Sequence, residues 1–143
     1  MRTPKRSAWL WLGVCGLALA APVWADAPPH TSYTTQTKSA TVTADSTDTA
    51  LWTPLSGSRF ALQGCKFSSP VAALLELEVS DVDVVPPQYL ESYGDSQVGG
   101  VGAPIYTSAT DAVLRYTVTF TGYTPAVQDE RASLVCWGYE YRQ

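Results

Sequence analysis

Three segments of this chain alternate apolar and polar residues with a period of two, a pattern that predicts β-strands rather than helices. They are Val71–Val79, Val113–Thr121 and Ala132–Tyr141. In each segment one set of alternate side chains is expected to face a protein core and the other to face solvent. The sets predicted to point inward in the first two segments are Ala73, Leu75, Leu77 and Val79, and Leu114, Tyr116, Val118 and Phe120.

A threonine-rich stretch earlier in the chain also favours strands. Residues Thr31 to Thr53 include nine threonines, whose branched Cβ suits an extended backbone. Beyond a turn at Pro54–Ser58, Gly64 is expected to mark a β-bulge beside Cys65. The strands predicted in this part of the chain are Tyr33–Thr43, Thr47–Thr53 and Arg59–Phe67.

The region Asp81–Pro104 breaks the strand pattern. It holds Pro86-Pro87 and the glycine-rich run Val98–Gly102, which deny regular hydrogen bonding or favour turns. We therefore predict a long loop here, of a length that compact domains usually keep for a function.

Several short strands without a helical period predict an all-β domain, an antiparallel β-sandwich of jelly-roll or immunoglobulin-like type. The immunoglobulin pattern places a Trp between the two cysteines, whereas here Trp137 follows Cys136. This order favours a jelly-roll-like sandwich.

The first 25 residues have the composition of a cleaved export signal. Arg2, Lys5 and Arg6 precede an apolar run, and Val23-Trp24-Ala25 offers small residues at the −3 and −1 positions of a cleavage site. We predict a signal peptide at 1–25, a flexible Pro-rich spacer at 26–32 and a β-sandwich domain at 33–143. The mature protein is expected in the periplasm, outside the cell or on the cell surface, with no transmembrane segment after cleavage.

The cysteines support the same compartment. Cys15 lies in the predicted leader, so an exported chain would keep only Cys65 and Cys136. In an oxidising environment these two are expected to form an intramolecular disulfide. An acylated Cys15 is a weaker alternative, because bulky Val14 stands where a small residue is needed.

Charge excludes one class of partner. The predicted leader holds three of the nine basic residues and none of the 13 acidic ones, so the mature chain carries a net charge of −7. Binding to nucleic acid or to anionic membranes needs clustered Lys and Arg, so neither partner is expected.

Candidate catalytic and metal-binding residues are few. His30 is the only histidine and lies among prolines, where no rigid element holds a catalytic base. Glu76 and Glu78 lie two apart on one strand face, about 6.5–7 Å, which is close to the carboxylate separation in inverting glycosidases. A solvated strand face is the favoured reading of this pair. Asp81 and Asp83 are candidate Ca²⁺ ligands, although charged turn residues are the favoured reading.

Aromatic residues offer a candidate contact surface for a ligand or a protein partner. Trp137, Tyr139 and Tyr141 share one face of the last predicted strand, and Tyr89 and Tyr93 lie in the predicted loop. Together they would suit stacking against sugar rings or self-association. For the strand trio, burial in the core is the favoured alternative, because the opposite face offers only Leu134, Cys136, Gly138 and Glu140.

The strand Tyr33–Thr43, tethered by the Pro-rich spacer, permits two pairings. It can complete the sheet of a neighbouring subunit by strand addition, or it can be an ordinary first strand of its own domain. The second pairing is favoured, since most termini pair locally.

Three parts of the sequence resemble a known group of proteins. The segment Leu51–Phe60, the glycine-rich loop and the closing Ala132–Tyr141 are similar to small jelly-roll domains of phage decoration and tail proteins and of bacterial surface proteins. The resemblance implies display or assembly and transfers no catalytic residue. Phage virion proteins usually lack an export leader, so the chain departs from that half of the group.

The sequence thus predicts a non-enzymatic, exported surface or assembly module without a cofactor, such as a subunit of an oligomer or fibre. A carbohydrate-binding module is the alternative, and a glycoside hydrolase is the third.

Overall fold

The computed structural model describes residues 32–122, 125 and 130–142. The predicted leader, His30 and nearly all of the predicted spacer lie outside the described residues. The regular structure of the described part consists of β-strands. They are β1 (Tyr33–Val42), β2 (Ser46–Trp52), β3 (Arg59–Ser69), β4 (Ala73–Val79), β5 (Val82–Asp83), β6 (Gln88–Leu90), β7 (Gly94–Gly99), β8 (Tyr106–Thr107), β9 (Leu114–Phe120) and β10 (Ala132–Tyr141).

The strands form two antiparallel sheets that pack face to face. Sheet A has the order β1-β10-β3-β7, with β8 also paired to β3. Sheet B has the order β2-β9-β4-β5, with β6 also paired to β4. The first four strands alternate between the sheets, and the first strand lies beside the last. This is a jelly-roll-like antiparallel sandwich, and the predicted fold class is confirmed.

The core lies between the sheets and contains the side chains that alternation predicted for β4 and β9. All eight of those residues are buried. Trp52, Phe60 and Phe67 are the largest fully buried side chains. The Trp52 ring of sheet B stacks on the Phe60 ring of sheet A with centroids 5.1 Å apart, so aromatic contact joins the two layers.

A disulfide ties two neighbouring strands of sheet A. Cys65 in β3 and Cys136 in β10 are direct cross-strand partners, and their sulfur atoms lie at bonding distance. The predicted disulfide is confirmed. The ladder shifts register close by, where Gly138 pairs with Leu62 and Trp137 pairs with Gly64. This shift makes Gln63 the extra residue of a bulge, next to the glycine that was predicted to mark one.

The prediction of a long loop at Asp81–Pro104 is wrong, because β5, β6 and β7 lie within it. A two-residue turn starts the series, with Ser80 at φ 53° and Asp81 at φ 61°. Positive φ at both central residues suits the right-handed twist of a hairpin. Val82 therefore pairs back on Val79.

Strand β1 pairs along its whole length with β10 of its own chain, from Tyr33 opposite Tyr141 to Val42 opposite Ala132. This is the arrangement of an ordinary first strand. Among the described residues, no helix is long and apolar enough to cross a bilayer.

Candidate functional site

The outer face of sheet A carries four aromatic residues along β1 and β10. They are Tyr33, Trp137, Tyr139 and Tyr141, and we call them the aromatic strip. In the register of the sheet Tyr33 lies opposite Tyr141, Thr35 opposite Tyr139, and Thr37 opposite Trp137. One ring of β10 thus lies opposite a ring of β1, and the other two lie opposite threonine side chains.

The expected burial in the core is wrong for Trp137 and Tyr139, which are half-buried on the outer face, whereas Tyr141 is buried but lies outside the core cluster. The inner face of β10 is the one with Ala132, Leu134 and Cys136, which are 0% exposed. The core beside this face holds large rings, Phe60 and Phe67 of the neighbouring β3 and Trp52 of β2. The face of β10 that contains Ala132, Cys136 and Gly138 packs inward there, and Trp137 and Tyr139 point outward.

Three tyrosines form a cluster at one end of the aromatic strip. The Tyr33 ring meets the Tyr139 ring edge-on at 5.3 Å and the Tyr141 ring at 5.9 Å between centroids. Tyr33 is 64% exposed and Tyr141 only 9%. The exposed ring of the edge strand thus covers the ring of its neighbour, and it leaves a large aromatic surface in solvent.

Trp137 lies flat over the sheet backbone because Gly64 has no side chain. A Cβ at Gly64 would lie 2.5 Å from Cζ2 of Trp137. The indole Nε1 donates a hydrogen bond to the carbonyl oxygen of Gly100 at 3.0 Å. The half-buried ring is therefore held in one orientation, with part of its surface open to solvent.

The structure does not bring the other two candidate tyrosines to this strip. Tyr89 belongs to β6 in sheet B and is 62% exposed. Tyr93 lies in the turn between β6 and β7, at φ 60° and 88% exposed. It borders a shallow depression of about 330 Å³ that is also lined by Ser68 and Arg131. The predicted platform of five aromatic residues is thus divided among separate surfaces.

Glu140 is buried, although the sequence pattern favoured the solvent-facing side of β10 for it. It is 5% exposed. Its Oε1 accepts a hydrogen bond from Trp52 Nε1 at 2.7 Å, and its Oε2 accepts one from the Leu55 backbone N–H at 3.2 Å. Because Trp52 lies in sheet B, the carboxylate bridges the two layers. Ala132, Cys136 and Gly138 lie on the same face of β10 as Glu140, and their small size was the feature of the sequence that could have identified this face as internal.

A depression of about 250 Å³ lies beside Glu140, and Thr34, Tyr141 and Arg142 are among the residues that line it. The Arg142 side chain donates hydrogen bonds to Ser58 Oγ and to the Ser56 carbonyl oxygen. The polar groups at this end of the sandwich are therefore engaged mainly with their own chain.

Glu76 and Glu78 lie half-buried on the outer face of β4. Glu78 is opposite Arg115 on one side and opposite Asp83 on the other. Partial burial, and then the charge of Asp83, raise the pKa of Glu78 above its ordinary value, with smaller contributions from Glu76, Asp81 and Asp48. Arg115 itself forms an ion pair with Asp48 at 3.2 Å. The pair of glutamates thus belongs to an open strand face and not to either depression described above.

Asp81 and Asp83, the candidate calcium ligands, lie in the β4–β5 turn and in β5. Within the described ranges, no three or more His, Cys, Asp or Glu side chains are grouped so that they could hold a metal ion. The left-handed backbone at Asp81 explains that residue as a turn former.

Comparisons of the chain with protein-family models, curated proteins and solved structures give no match.

Proposed function

We propose that this protein is an exported, non-enzymatic surface or assembly module that binds through sheet A. The aromatic strip is the observation that carries the proposal. Tyr and Trp are enriched where proteins meet, because rigid rings supply contact area at small entropic cost. Tyr33 is exposed, Trp137 and Tyr139 are half-buried, and Tyr141 lies beneath Tyr33, all on the outer face of sheet A.

Export is supported by the disulfide. A cross-strand Cys65–Cys136 bond persists in the periplasm or outside the cell and is rare in a reducing cytosol. The leader composition at residues 1–25 agrees with this destination. A jelly-roll strand order is also consistent with the sequence resemblance to decoration, tail and surface proteins, which implies display or assembly.

The proposal that the protein is not an enzyme is supported by the positions and hydrogen bonds of three glutamates. Both carboxylate oxygens of Glu140 accept hydrogen bonds from the protein itself. Glu76 and Glu78 lie on an open strand face, whereas glycosidase carboxylates flank a cleft.

A carbohydrate-binding module is the second candidate, and the aromatic strip favours it as well. The exposed faces of Tyr33 and Trp137 suit stacking against sugar rings, and the neighbouring Thr35 and Thr37 provide hydroxyl groups. Both candidate functions place the binding surface on the outer face of sheet A. They differ in whether a protein or a carbohydrate binds there.

One set of variants separates them. Tyr33→Ala with Tyr139→Ala removes the tyrosine cluster, and Tyr89→Ala removes an exposed tyrosine from sheet B as the matched control. Light scattering and negative-stain imaging of the secreted protein should show an assembly that the double variant weakens and the control retains. A strict monomer whose tryptophan fluorescence is quenched by a glycan would replace the assembly model with the second candidate.

A further inference from the structure

Strand β1 forms one edge of sheet A, and its ladder with β10 is regular. All ten residues pair in sequence without a register shift. Within the described part of the chain β10 is its only ladder partner. The other side of β1 therefore presents a row of backbone N–H and C=O groups.

The disulfide shows which residues of β1 carry those outward groups. The Cα atoms of Cys65 and Cys136 are 4.0 Å apart, as in a pair whose backbone groups point away from each other. The N–H and C=O of Cys136 therefore point to β1 and bond Lys38, its partner there. Alternate residues of β1 then point their backbone groups to the free side, and these residues are Tyr33, Thr35, Thr37, Ser39 and Thr41.

The other sheet edges are blunted, as natural edge strands usually are. In sheet B, β2 shifts register twice against β9, and Asp48 within it has a φ of 48°. The opposite side of that sheet ends in β5 and β6, of two and three residues. In sheet A, β7 ends at Gly99 with a φ of 72°, and Ser96 Oγ bonds Gln88 Oε1 of β6 at 2.6 Å. Strand β1 is the long, regular edge among the described strands.

We propose that two copies of this chain pair antiparallel through β1, about a two-fold axis at Thr37, so that sheet A continues from one copy to the other. The inference rests on the proposed assembly function and names its contact. The five outward residues of each copy would then exchange about ten backbone hydrogen bonds.

Charge selects this register. For a strand of residues 33–42, two registers give the longest overlap, one centred on Thr37 and one centred on Lys38. The second places two Lys38 side chains directly opposite each other, which is unfavourable. The first places Lys38 opposite Gln36 of the other copy. Lys38 Nζ also keeps its position 5.9 Å from the Trp52 ring centroid on the inner face.

The outer-face side chains complement themselves in the same register. Thr37 meets Thr37 of the other copy, and Thr35 meets Ser39 of the other copy. Hydroxyl pairs of this kind are favourable across strands. These side chains are exposed in the single chain, so their pairing requires no rearrangement of the core.

Three variants of the full chain, secreted with its own leader, test the contact. Thr37→Pro removes an outward N–H that β10 does not use, a position where an edge strand tolerates proline. Thr35→Lys with Ser39→Lys places like charges opposite each other across the two-fold axis. Thr35→Lys with Ser39→Glu places opposite charges there and is the matched control. Circular dichroism checks that each variant keeps its β fold.

Sedimentation should show a concentration-dependent dimer for the original chain and the control, and a dissociation constant at least about tenfold higher for the proline and the double-lysine variants. An assembly that neither of these variants weakens would overturn the β1 contact and leave the proposed function standing. A strict monomer that also forms no complex through the aromatic strip would overturn both.

Discussion

Among the residues that the structure describes, Glu140 is the one acidic residue that is buried. Replacing it with Ala leaves the indole N–H of Trp52 without an acceptor inside the sandwich and removes the part-buried acceptor of the Leu55 backbone N–H. Each unsatisfied buried donor costs about 1–3 kcal/mol. We expect Glu140→Ala to lower the free energy of unfolding by about 2–5 kcal/mol, with a smaller loss for Glu140→Gln, which keeps an acceptor.

Urea denaturation followed by tryptophan fluorescence measures this loss. Glu76→Ala, on the outer face of β4, is the control and should change stability by about 0.5 kcal/mol or less. Equal losses for the two alanine variants would contradict the bridging role of Glu140.

Glu78 should make the protein less stable at neutral pH than at acid pH. Its folded pKa is raised above the ordinary value of 4.5, so the folded state holds its proton more tightly than the unfolded chain does. The destabilisation is complete above the folded pKa, and it disappears as pH falls below 4.5.

Glu78→Gln is therefore expected to stabilise the protein at pH 7, and this advantage should vanish in acid. Thermal melts across the pH range measure the difference, with Glu76→Gln as the matched carboxylate on the same face. A stabilisation that is independent of pH would show that the desolvated, repelled charge of Glu78 is not its cause.

At the level of elements, the sequence predicted the strands in which buried and exposed residues alternate. It did not predict the short strands that are recognised only by their hydrogen bonds to a neighbouring strand. Strand β10 was predicted with its observed bounds, and β9 within one residue of them, because both have long alternating patterns. Strands β5 to β7 are short, polar or glycine-rich, so local propensity carries little signal. The partners of β6 on β4 and of β7 on β3 are distant in sequence, and β5 is only two residues long, so a period of two reveals none of these pairings.

The sequence also predicted the wrong face of β10 to be internal, and that face carries part of the candidate site. Both faces of this strand carry apolar residues, so alternation divides the two sets without telling which one is internal. Which set is internal depends on packing in the core, where Trp52, Phe60 and Phe67 occupy a large volume. Because of that choice Trp137 and Tyr139 became surface residues and Glu140 became a core residue.

The β3–β10 bulge is the element that positions Trp137, and Gly64 is the residue of β3 that lies against the indole ring. An added Cβ would also lie 2.8 Å from the backbone oxygen of Val98, which cannot move without distorting β7. We expect Gly64→Ala to cost about 1–3 kcal/mol through overpacking and to lift the indole from the sheet.

Tryptophan emission should shift to longer wavelength in that variant as the Trp137 ring becomes more hydrated. Gly100→Ala is the matched control, because nothing lies within 4 Å of a Cβ there. An unchanged spectrum with unchanged stability would show that Trp137 does not lie against Gly64.

For the whole molecule, the disulfide joins strands that are far apart in sequence but adjacent in sheet A. Its two cysteines are separated by 71 residues. Cross-linking a loop of that length restricts the unfolded chain by about 4 kcal/mol in the chain-entropy model. Because the free energy of unfolding of a small domain is only about 5–15 kcal/mol, reduction of the disulfide should leave this protein marginally stable.

We expect the double variant Cys65→Ala with Cys136→Ala to have a free energy of unfolding about 4 kcal/mol lower than that of the original chain. Dithiothreitol should lower the free energy of unfolding of the original chain by a similar amount and leave that of the double variant unchanged. Urea denaturation with and without the reductant gives both numbers. Since the cross-link acts mainly on the unfolded state, the loss should appear without a change in the β signal of the folded protein. A loss in the double variant that dithiothreitol does not reproduce would mean that packing of the sulfur atoms, rather than the bond, stabilises sheet A.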